Sequence, residues 1–574
     1  MKVLFAMMHP GYMRYYHGAL RALARRGHAI HLVFDIPHKQ ARDRLERRLV
    51  EEFPGQVTIG PAPQRTDEWE ALARALTWGM DYLRYLQPGY RDRVRLRVRV
   101  EVVMHPTFRD VAQRLPTWGV RLLQSGIRIA YDAVPVSDAY LAAIREQGPD
   151  LVLVTPLVTQ GAAFQSEYVR AGKALGLPVG YCVASWDNLT TKGLIRGEPD
   201  RVFLWNEIQR QEAVELHRTP RDRVVMTGAQ LFDDWFAQRP RLDRAAFCRQ
   251  VGLDPGRPFL LYMCSSNFMA PNEPPFTLRW IDALRRASDP RLRELGVLIR
   301  PYPEHTAPWR RVDLAALDNV AIWPREGAYP LTDDSRADFY DSVHHSEAVV
   351  GVNTSALIET AILGRPALTV LAEEFRNSQE GTVHFHYLRR DHGGFVEVAS
   401  TLDAHLSQLS AALADRDVTA RQVRGFVERF VRPHGLDRPA TPIWVEAVER
   451  LAAERRRAAP APSASRRVLR RVLAPLAQRV DRVRAGPAFR DHVEQWKWAS
   501  RKAEEIGGDP LEVWQRLQAE RRDTVPGGLT RYVVSRARRH IARRFQKLAG
   551  RVGKGATRLQ RRVRRAIGGT GVES

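Results

Sequence analysis

Short apolar runs alternate with amphipathic helical stretches along two long segments of this chain, and that alternation restricts the fold more than any other feature. Lys2-Val-Leu-Phe-Ala6 is apolar and ends in a Pro-Gly loop. From Tyr15 to Arg26, Leu20, Leu23 and Ala24 recur at helical spacing against Arg21, Arg25 and Arg26. Gly27 ends that helix, and Ile30-His-Leu-Val-Phe34 is the next strand. Strand, helix and strand within about 35 residues form a βαβ unit, which requires a parallel sheet covered by helices on both faces. Apolar runs at 151–154, 179–183, 201–205 and 224–226 continue the pattern, which places a first domain at 1–236. A polar link (Gln238-Arg-Pro-Arg-Leu-Asp243) precedes a second series at 259–263, 297–299, 320–323, 348–350 and 367–371, a second domain at 245–450. At 574 residues the chain exceeds one hydrophobic core. The expected fold is therefore α/β: two doubly wound Rossmann-like domains facing a cleft, with a basic, mainly helical C-terminal extension.

Residues 67–146 interrupt the first series with amphipathic helical sequence, broken near Pro88-Gly89, Pro106, Pro116 and Pro135. A small-residue, Pro-containing linker at 458–465 opens the extension, 458–574. Charge is uneven. Residues 451–574 hold 31 Lys and Arg against 11 Asp and Glu, so +20 of the formal +24 lies there. Two Arg-rich stretches, 466–482 and 530–566, read as basic amphipathic helices suited to an anionic membrane surface, or as a solvated arm; specific nucleic-acid binding lacks a recognition pattern. No run approaches the ~20 apolar residues of a membrane-spanning helix. Met1-Lys-Val-Leu-Phe-Ala-Met-Met-His9 makes a poor signal peptide and a good buried strand. Three Cys without metal-ligand spacing (Cys182, Cys248, Cys264) imply a reducing compartment, and the expectation is a cytoplasmic protein, peripheral at the inner face of the plasma membrane.

Ligands of open parallel sheets bind beyond the carboxyl ends of strands, so the loops there carry the chemistry. Gly351-Val-Asn-Thr-Ser355 leaves a strand and opens a helix; Gly351 permits a close turn, and Asn353, Thr354 and Ser355 add donors where helix-start amides favour an anion. Glu359 lies one residue beyond capping-box spacing, which leaves it to face the cleft and accept ribose hydroxyls; the bland alternative is an N-cap Ser355 and a solvated Glu359. Arg300-Pro-Tyr-Pro-Glu-His305 offers Arg300 as a bidentate diphosphate clamp, or as a plain Arg before a rigid turn. In Ala184-Ser-Trp-Asp-Asn-Leu-Thr-Thr-Lys-Gly193, Asp187 is a candidate general base, with Ser185, Trp186, Asn188 and Lys192 contacting the acceptor. Its alternative is an Asx-turn with Trp186 packed into the interdomain face. After the first strand, His9-Pro-Gly-Tyr12 supplies His9 as base or phosphate contact, or as a capping His, with Gly11 and Tyr12 on the acceptor side.

The pattern of strand, Gly-x-Asn-Thr-Ser, helix with Glu, then Gly364-Arg-Pro-Ala-Leu-Thr-Val370 resembles the donor-site segment of the glycosyltransferase-B (GT-B) superfamily, which includes sugar-nucleotide 2-epimerases and CDP-glycerol glycerophosphotransferases. Arg300-Pro-Tyr-Pro303 resembles that superfamily's Arg-Pro-His-Pro loop, with Tyr302 where His is usual, and Thr227-Gly-Ala-Gln-Leu-Phe-Asp233 resembles its crossing point into the second domain. The resemblance places Ser265 and Ser266, after the strand 259–263, near the donor phosphates.

No dinucleotide fingerprint, P-loop or nucleophile elbow is present. Asp415-Arg-Asp417 lies in a helical region, and His344-His345 and His384-Phe-His386 lack the further ligands of a metal site, so no metal is expected. The resemblance implies a transferase that moves a glycosyl or glycerol-phosphate-type unit from a nucleotide-activated donor, a substrate rather than a cofactor, to a polysaccharide or lipid-linked acceptor of the cell surface. The alternatives are a sugar-nucleotide 2-epimerase and a non-catalytic scaffold that binds membrane or nucleic acid through its basic tail.

Overall fold

A computed structural model describes residues 1–36, 45–158, 164–454, 463–484, 487–506, 510 and 512–517. The chain divides into two units, Met1–Asp509 and Pro510–Ser574. The Arg-rich stretch at 530–566 lies outside the described residues.

The first unit holds two parallel sheets, as the alternation requires. The strands of the first are β1 (Lys2–Met7), β2 (Ala29–Phe34), β3 (Val57–Gly60), β4 (Leu151–Thr155), β5 (Val179–Cys182), β6 (Arg201–Leu204) and β7 (Val224–Met226), in the spatial order β3-β2-β1-β4-β5-β6-β7. The second contains β8 (Phe259–Met263), β9 (Gly296–Arg300), β10 (Val320–Ile322), β11 (Val349–Gly351), β12 (Ala367–Val370) and β13 (Glu397–Ala399), in the order β10-β9-β8-β11-β12-β13. The central strands β4, β5, β8, β9 and β12 are buried along their whole length, as they must be when helices cover both faces. Both sheets reverse direction of growth once, between β1 and β4 and between β8 and β11. This is the doubly wound, two-domain architecture that the GT-B resemblance implies.

Two strands escaped the sequence reading. Edge strand β3 buries Val57 but exposes both Thr58 and Ile59, and β13 has three residues, too few for a pattern. One helix crosses from the second series back to the first sheet. The Ala440–Ala453 helix follows the second sheet in sequence, yet Trp444, Val445, Val448 and Leu451 pack against Phe5, Tyr16, Leu153 and Phe203 of the first. A carboxylate fixes this return. Asp233, just past β7, accepts hydrogen bonds from the amides of Ala440 (3.0 Å) and Thr441 (2.6 Å) and pairs with Arg432 (2.9 Å).

The interrupting segment folds into helices Glu70–Arg84, Val94–Glu101, Pro106–Gln113, Thr117–Ala133 and Asp138–Gln147. The first Arg-rich stretch is the Ala464–Arg484 helix. Leu469, Leu473, Ala477 and Val480 pack on Trp69, Leu72, Ala73 and Tyr131, so one face of this helix is part of a core rather than a free arm. Among the described residues no helix is long and apolar enough to cross a membrane.

Candidate functional site

The loops at the carboxyl ends of β1, β5, β8, β9 and β11 meet in the cleft between the two sheets. On the second-domain side, Gly351 is required by packing: a Cβ there would sit 2.8 Å from the Met263 carbonyl oxygen, because β11 and β8 run together. Asn353 is buried; its backbone amide donates to Ser265 Oγ (3.2 Å) and its Nδ2 donates to the Ser378 carbonyl (2.7 Å). The Ser265 amide donates to Glu273 (2.8 Å), which also accepts from Tyr262 Oη (3.1 Å). Burial pushes the Glu273 carboxyl up to about 8 against those two hydrogen bonds. These groups build the turn and have little capacity left for a ligand.

Ser355 holds the N-cap position without capping through its side chain. Its Oγ makes no capping bond and accepts instead from Trp186 Nε1 of the first domain at 3.0 Å. Thr354 Oγ1 receives the Ala356 amide at 3.4 Å. The helix that follows, Ala356–Ile362, has seven residues, so its dipole is small and its amides are a weak anion trap. Glu359 behaves differently. One carboxylate oxygen, Oε2, is buried without a hydrogen-bond partner, the side chain lines the cleft, and burial raises its pKa to about 7, with its own amide and Arg14 opposing.

Arg300 reaches the cleft wall but is largely committed elsewhere. Its Nη1 donates to Asp338 (2.8 Å) and Ser342 (2.9 Å), and the guanidinium lies over Phe339. Only Nη2 is buried without a partner. The expected diphosphate clamp is first a structural ion pair.

The first-domain side carries the cation that the sequence reading passed over. Arg14 follows the His9-Pro-Gly-Tyr12 loop, on the Met13–Arg25 helix. Protein surrounds it, yet its side chain is open to solvent within the cleft. It donates to Tyr15 Oη (2.5 Å) and lies 4.6 Å above the Tyr15 ring and 5.1 Å from the Tyr329 ring of the second domain. Burial disfavours its charge, but the phenolic oxygens of Tyr15, Tyr329 and Tyr302 outweigh that and hold it well into the charged range. His9 turns away from this group; its Nδ1 accepts the Gly11 amide (3.1 Å) and its ring packs on Tyr12. It caps the loop. Tyr12 lines the cleft instead, buried beside Arg14.

The 184–193 loop is held from behind. Arg84 donates to the carbonyls of Leu189, Lys192 (2.8 Å) and Gly193 (2.9 Å), while buried Asp81 accepts the Leu194 amide (2.9 Å) and pairs with Arg196. Both come from the Glu70–Arg84 helix. At the front of the loop, Trp186 packs into the interdomain face against His384 (ring centroids 4.6 Å) and Phe430. Asn188 ties the loop internally, accepting the Ser185 amide at 3.3 Å and donating to Asp187 at 3.4 Å. Burial pushes Asp187 up, but Lys192, His384 and bonds from Ser185 and Thr191 bring it below the usual carboxylate range. It is ionised and weakly basic. His384, buried with Nδ1 unpartnered, is pushed down to about 4 by burial and is neutral at physiological pH.

Two cavities result. The smaller, about 210 Å³, joins Tyr12, Ser185, Trp186, Asp187, Asn188 and Lys192 to Ser266, Asn353, Thr354, Ser355 and His384. The larger, about 910 Å³, runs past Arg14, Arg300, Tyr302, Tyr329 and Glu359 and falls in the size range of small-molecule sites. The fold thus gathers most of the residues read from sequence, leaving His9, Gly11, Ser265 and Gly351 behind the walls. Arg14, Tyr329 and His384 were missed. Arg14 follows the β1 loop but shares its helix with other arginines, and His384 was weighed only as half of a His-x-His pair. Among the described residues no three His, Cys, Asp or Glu side chains are grouped to hold a metal ion.

No protein-family description matches the chain, and no curated protein sequence does. Solved structures to which it is similar include the UDP-GlcNAc 2-epimerase of Methanocaldococcus jannaschii, at 11% identity over 78% of this chain and 100% of that one, with a TM-score of 0.44. A glycosyltransferase of Rickettsia africae is 11% identical over 79% and 99%, with a TM-score of 0.46. The UDP-GlcNAc 2-epimerase of Neisseria meningitidis, solved with UDP-GlcNAc, is 13% identical over 78% and 100%, at 0.42.

Proposed function

We propose that this chain is a GT-B-like enzyme of nucleotide-activated sugars, and specifically a transferase that moves a glycosyl or glycerol-phosphate-type unit to a polysaccharide or lipid-linked acceptor. The observation that carries the reading is the pairing, inside one interdomain cleft, of a solvent-open guanidinium on Arg14 with the unpartnered carboxyl oxygen of Glu359. A nucleoside diphosphate-sugar needs both kinds of group. Arg14 meets the diphosphate and stabilises the charge it gains on leaving; Glu359 receives hydroxyls of ribose or sugar. Thr354 and Ser355 stand beside them on the donor side, with the free Nη2 of Arg300 as a second contact.

The acceptor occupies the smaller cavity, against Tyr12, Ser185, Asn188 and Lys192. In a glycosyl transfer, the acceptor oxygen bonds to the sugar carbon and the carbon–oxygen bond to the diphosphate breaks, its electron pair leaving with the nucleotide. The hydroxyl proton passes to a base, a role we assign to the ionised Asp187 that lines this cavity. Holding both substrates across one cleft supplies the orientation such a step requires.

Thermal-shift titrations with UDP, GDP, CDP and CMP conjugates test this assignment. One nucleotide class is expected to raise the melting temperature of the native chain and to lose that effect in Arg14→Ala and Glu359→Ala. If no class does so, or both variants respond like the native protein, the donor assignment fails. A carboxyl near pH 7 at Glu359 also suits proton transfer to and from a sugar carbon, the chemistry of a 2-epimerase. Solvent-hydrogen exchange into the donor sugar without any acceptor separates that reading from transfer.

A further inference from the structure

Ten large apolar side chains are exposed among the described residues, and eight lie on four neighbouring helices away from the cleft. On Thr117–Ala133, Trp118 (70% exposed), Leu122 (67%) and Ile129 fall at helical spacing on one side, while Val120 and Tyr131 on the other are buried. On Ala464–Arg484, Val468, Val472 and Leu476 form a second exposed stripe beside the buried one of Leu473 and Ala477. These two helices pack against each other. Pro106–Gln113 and Pro487–Ile506, also in contact, add Val111 and Trp498. Soluble monomers seldom concentrate their exposed apolar side chains in this way, and such clusters mark interaction surfaces.

The charge around the stripes selects the partner. Arg121, Arg466, Arg467 and Arg471 are exposed on the same helices, and Arg114 is exposed just past Pro106–Gln113. Thr117–Ala133 and Ala464–Arg484 together carry nine Arg against Asp132 and Asp481. A second copy of this face would set like charges against each other. An apolar ridge containing a Trp and rimmed by Arg matches the boundary of an anionic bilayer, where the rings and aliphatic chains enter the acyl edge and guanidinium groups meet lipid phosphates.

We infer that this four-helix face docks the protein on an anionic phospholipid surface. The inference stands without the catalytic reading, since none of its residues lines the cleft. If both hold, the consequence is spatial: the Glu70–Arg84 helix, which packs on both Thr117–Ala133 and Ala464–Arg484, is the one that grips the 184–193 loop. A lipid-linked acceptor would then be collected one layer from the cavity that uses it.

Co-sedimentation of the full chain with phosphatidylcholine vesicles, with and without phosphatidylglycerol, tests the inference. Binding is expected to require the anionic lipid. The triple variant Trp118→Ser/Leu122→Ser/Ile129→Ser, made at exposed positions, is expected to keep the native melting temperature and to weaken partitioning at least tenfold. Should that variant destabilise the fold, Trp118→Lys/Leu122→Lys replaces it: added charge without the apolar ridge must still lose binding. Equal binding to neutral vesicles, retained binding in these variants, or a change of oligomeric state in place of lipid binding overturns the assignment.

Discussion

The two walls of the cleft are built from the same fold and do opposite things with their polar residues. In the second domain the conspicuous motif residues are spent on architecture: Asn353, Ser265 and Glu273 tie one turn together, Arg300 pairs with Asp338, and Gly351 makes room for a neighbouring strand. In the first domain the architecture is supplied from behind, by Asp81 and Arg84, which leaves Tyr12, Arg14 and Lys192 at the front facing the cavities. Glu359 is the exception on its wall. The lesson is that a polar motif at a strand end identifies the edge where a ligand binds, whereas unsatisfied hydrogen-bonding capacity identifies the atoms that bind it.

Four substitutions break or sharpen this contrast. The largest effect is expected from Arg300→Ala, which removes the cation beside half-buried Asp338 together with the Ser342 bond and the packing on Phe339, and should cost about 2–4 kcal/mol of unfolding free energy in urea titrations. A stable variant that has merely lost nucleotide affinity would reverse the roles given to the two arginines. Arg14→Ala should do the reverse, leaving stability near native and weakening binding of a nucleoside diphosphate about 10- to 100-fold, the equivalent of one charge-assisted hydrogen bond or two.

Glu359→Gln should act through pH. Below the ordinary carboxyl value of 4.5, folded and unfolded chains both hold the proton; between there and about 7 the folded chain alone does. Stability due to this group therefore falls as pH rises through that window and stays level above it. The native-minus-variant difference is expected to shrink by about 1–3 kcal/mol between pH 4.5 and 8; a flat difference would mean that Glu359 is solvated or partnered. The smallest effect belongs to Trp186→Phe. Losing the bond to Ser355 while keeping most of the packing should cost about 1 kcal/mol. Because the bond spans the cleft, the loss should appear as faster hydrogen exchange in both flanking loops.

Much of the fold was legible because β1, β4, β8 and β11 are apolar runs framed by helical periodicity. Strand order was not, since nothing local records which strands become neighbours, and strand order is what makes the ends of β1, β8 and β11 adjoin the switch points. The helix at 440–453 misled for the same reason: its Trp444 looks alike whichever sheet it covers. In the site, the loops could be found by position after strands. Arg14 could not be singled out from the other arginines of its helix, because its distinction is the arrival of Tyr329 from another domain. The tail was half readable. Its amphipathic helical spacing was visible, but whether a given stripe meets water or Trp69 depends on where the helix lands.

Asp233 has one further consequence. By binding the amides of Ala440 and Thr441, it brings the path out of the first domain and the path back into it to a single knot. Two adjacent strands of chain therefore join the second domain to the first, beside a shared core in which Trp186, Trp205 and Phe232 meet Leu357 and Phe426. Because a single carboxylate ties both, loss of Asp233 would release the exit and the re-entry of the chain together.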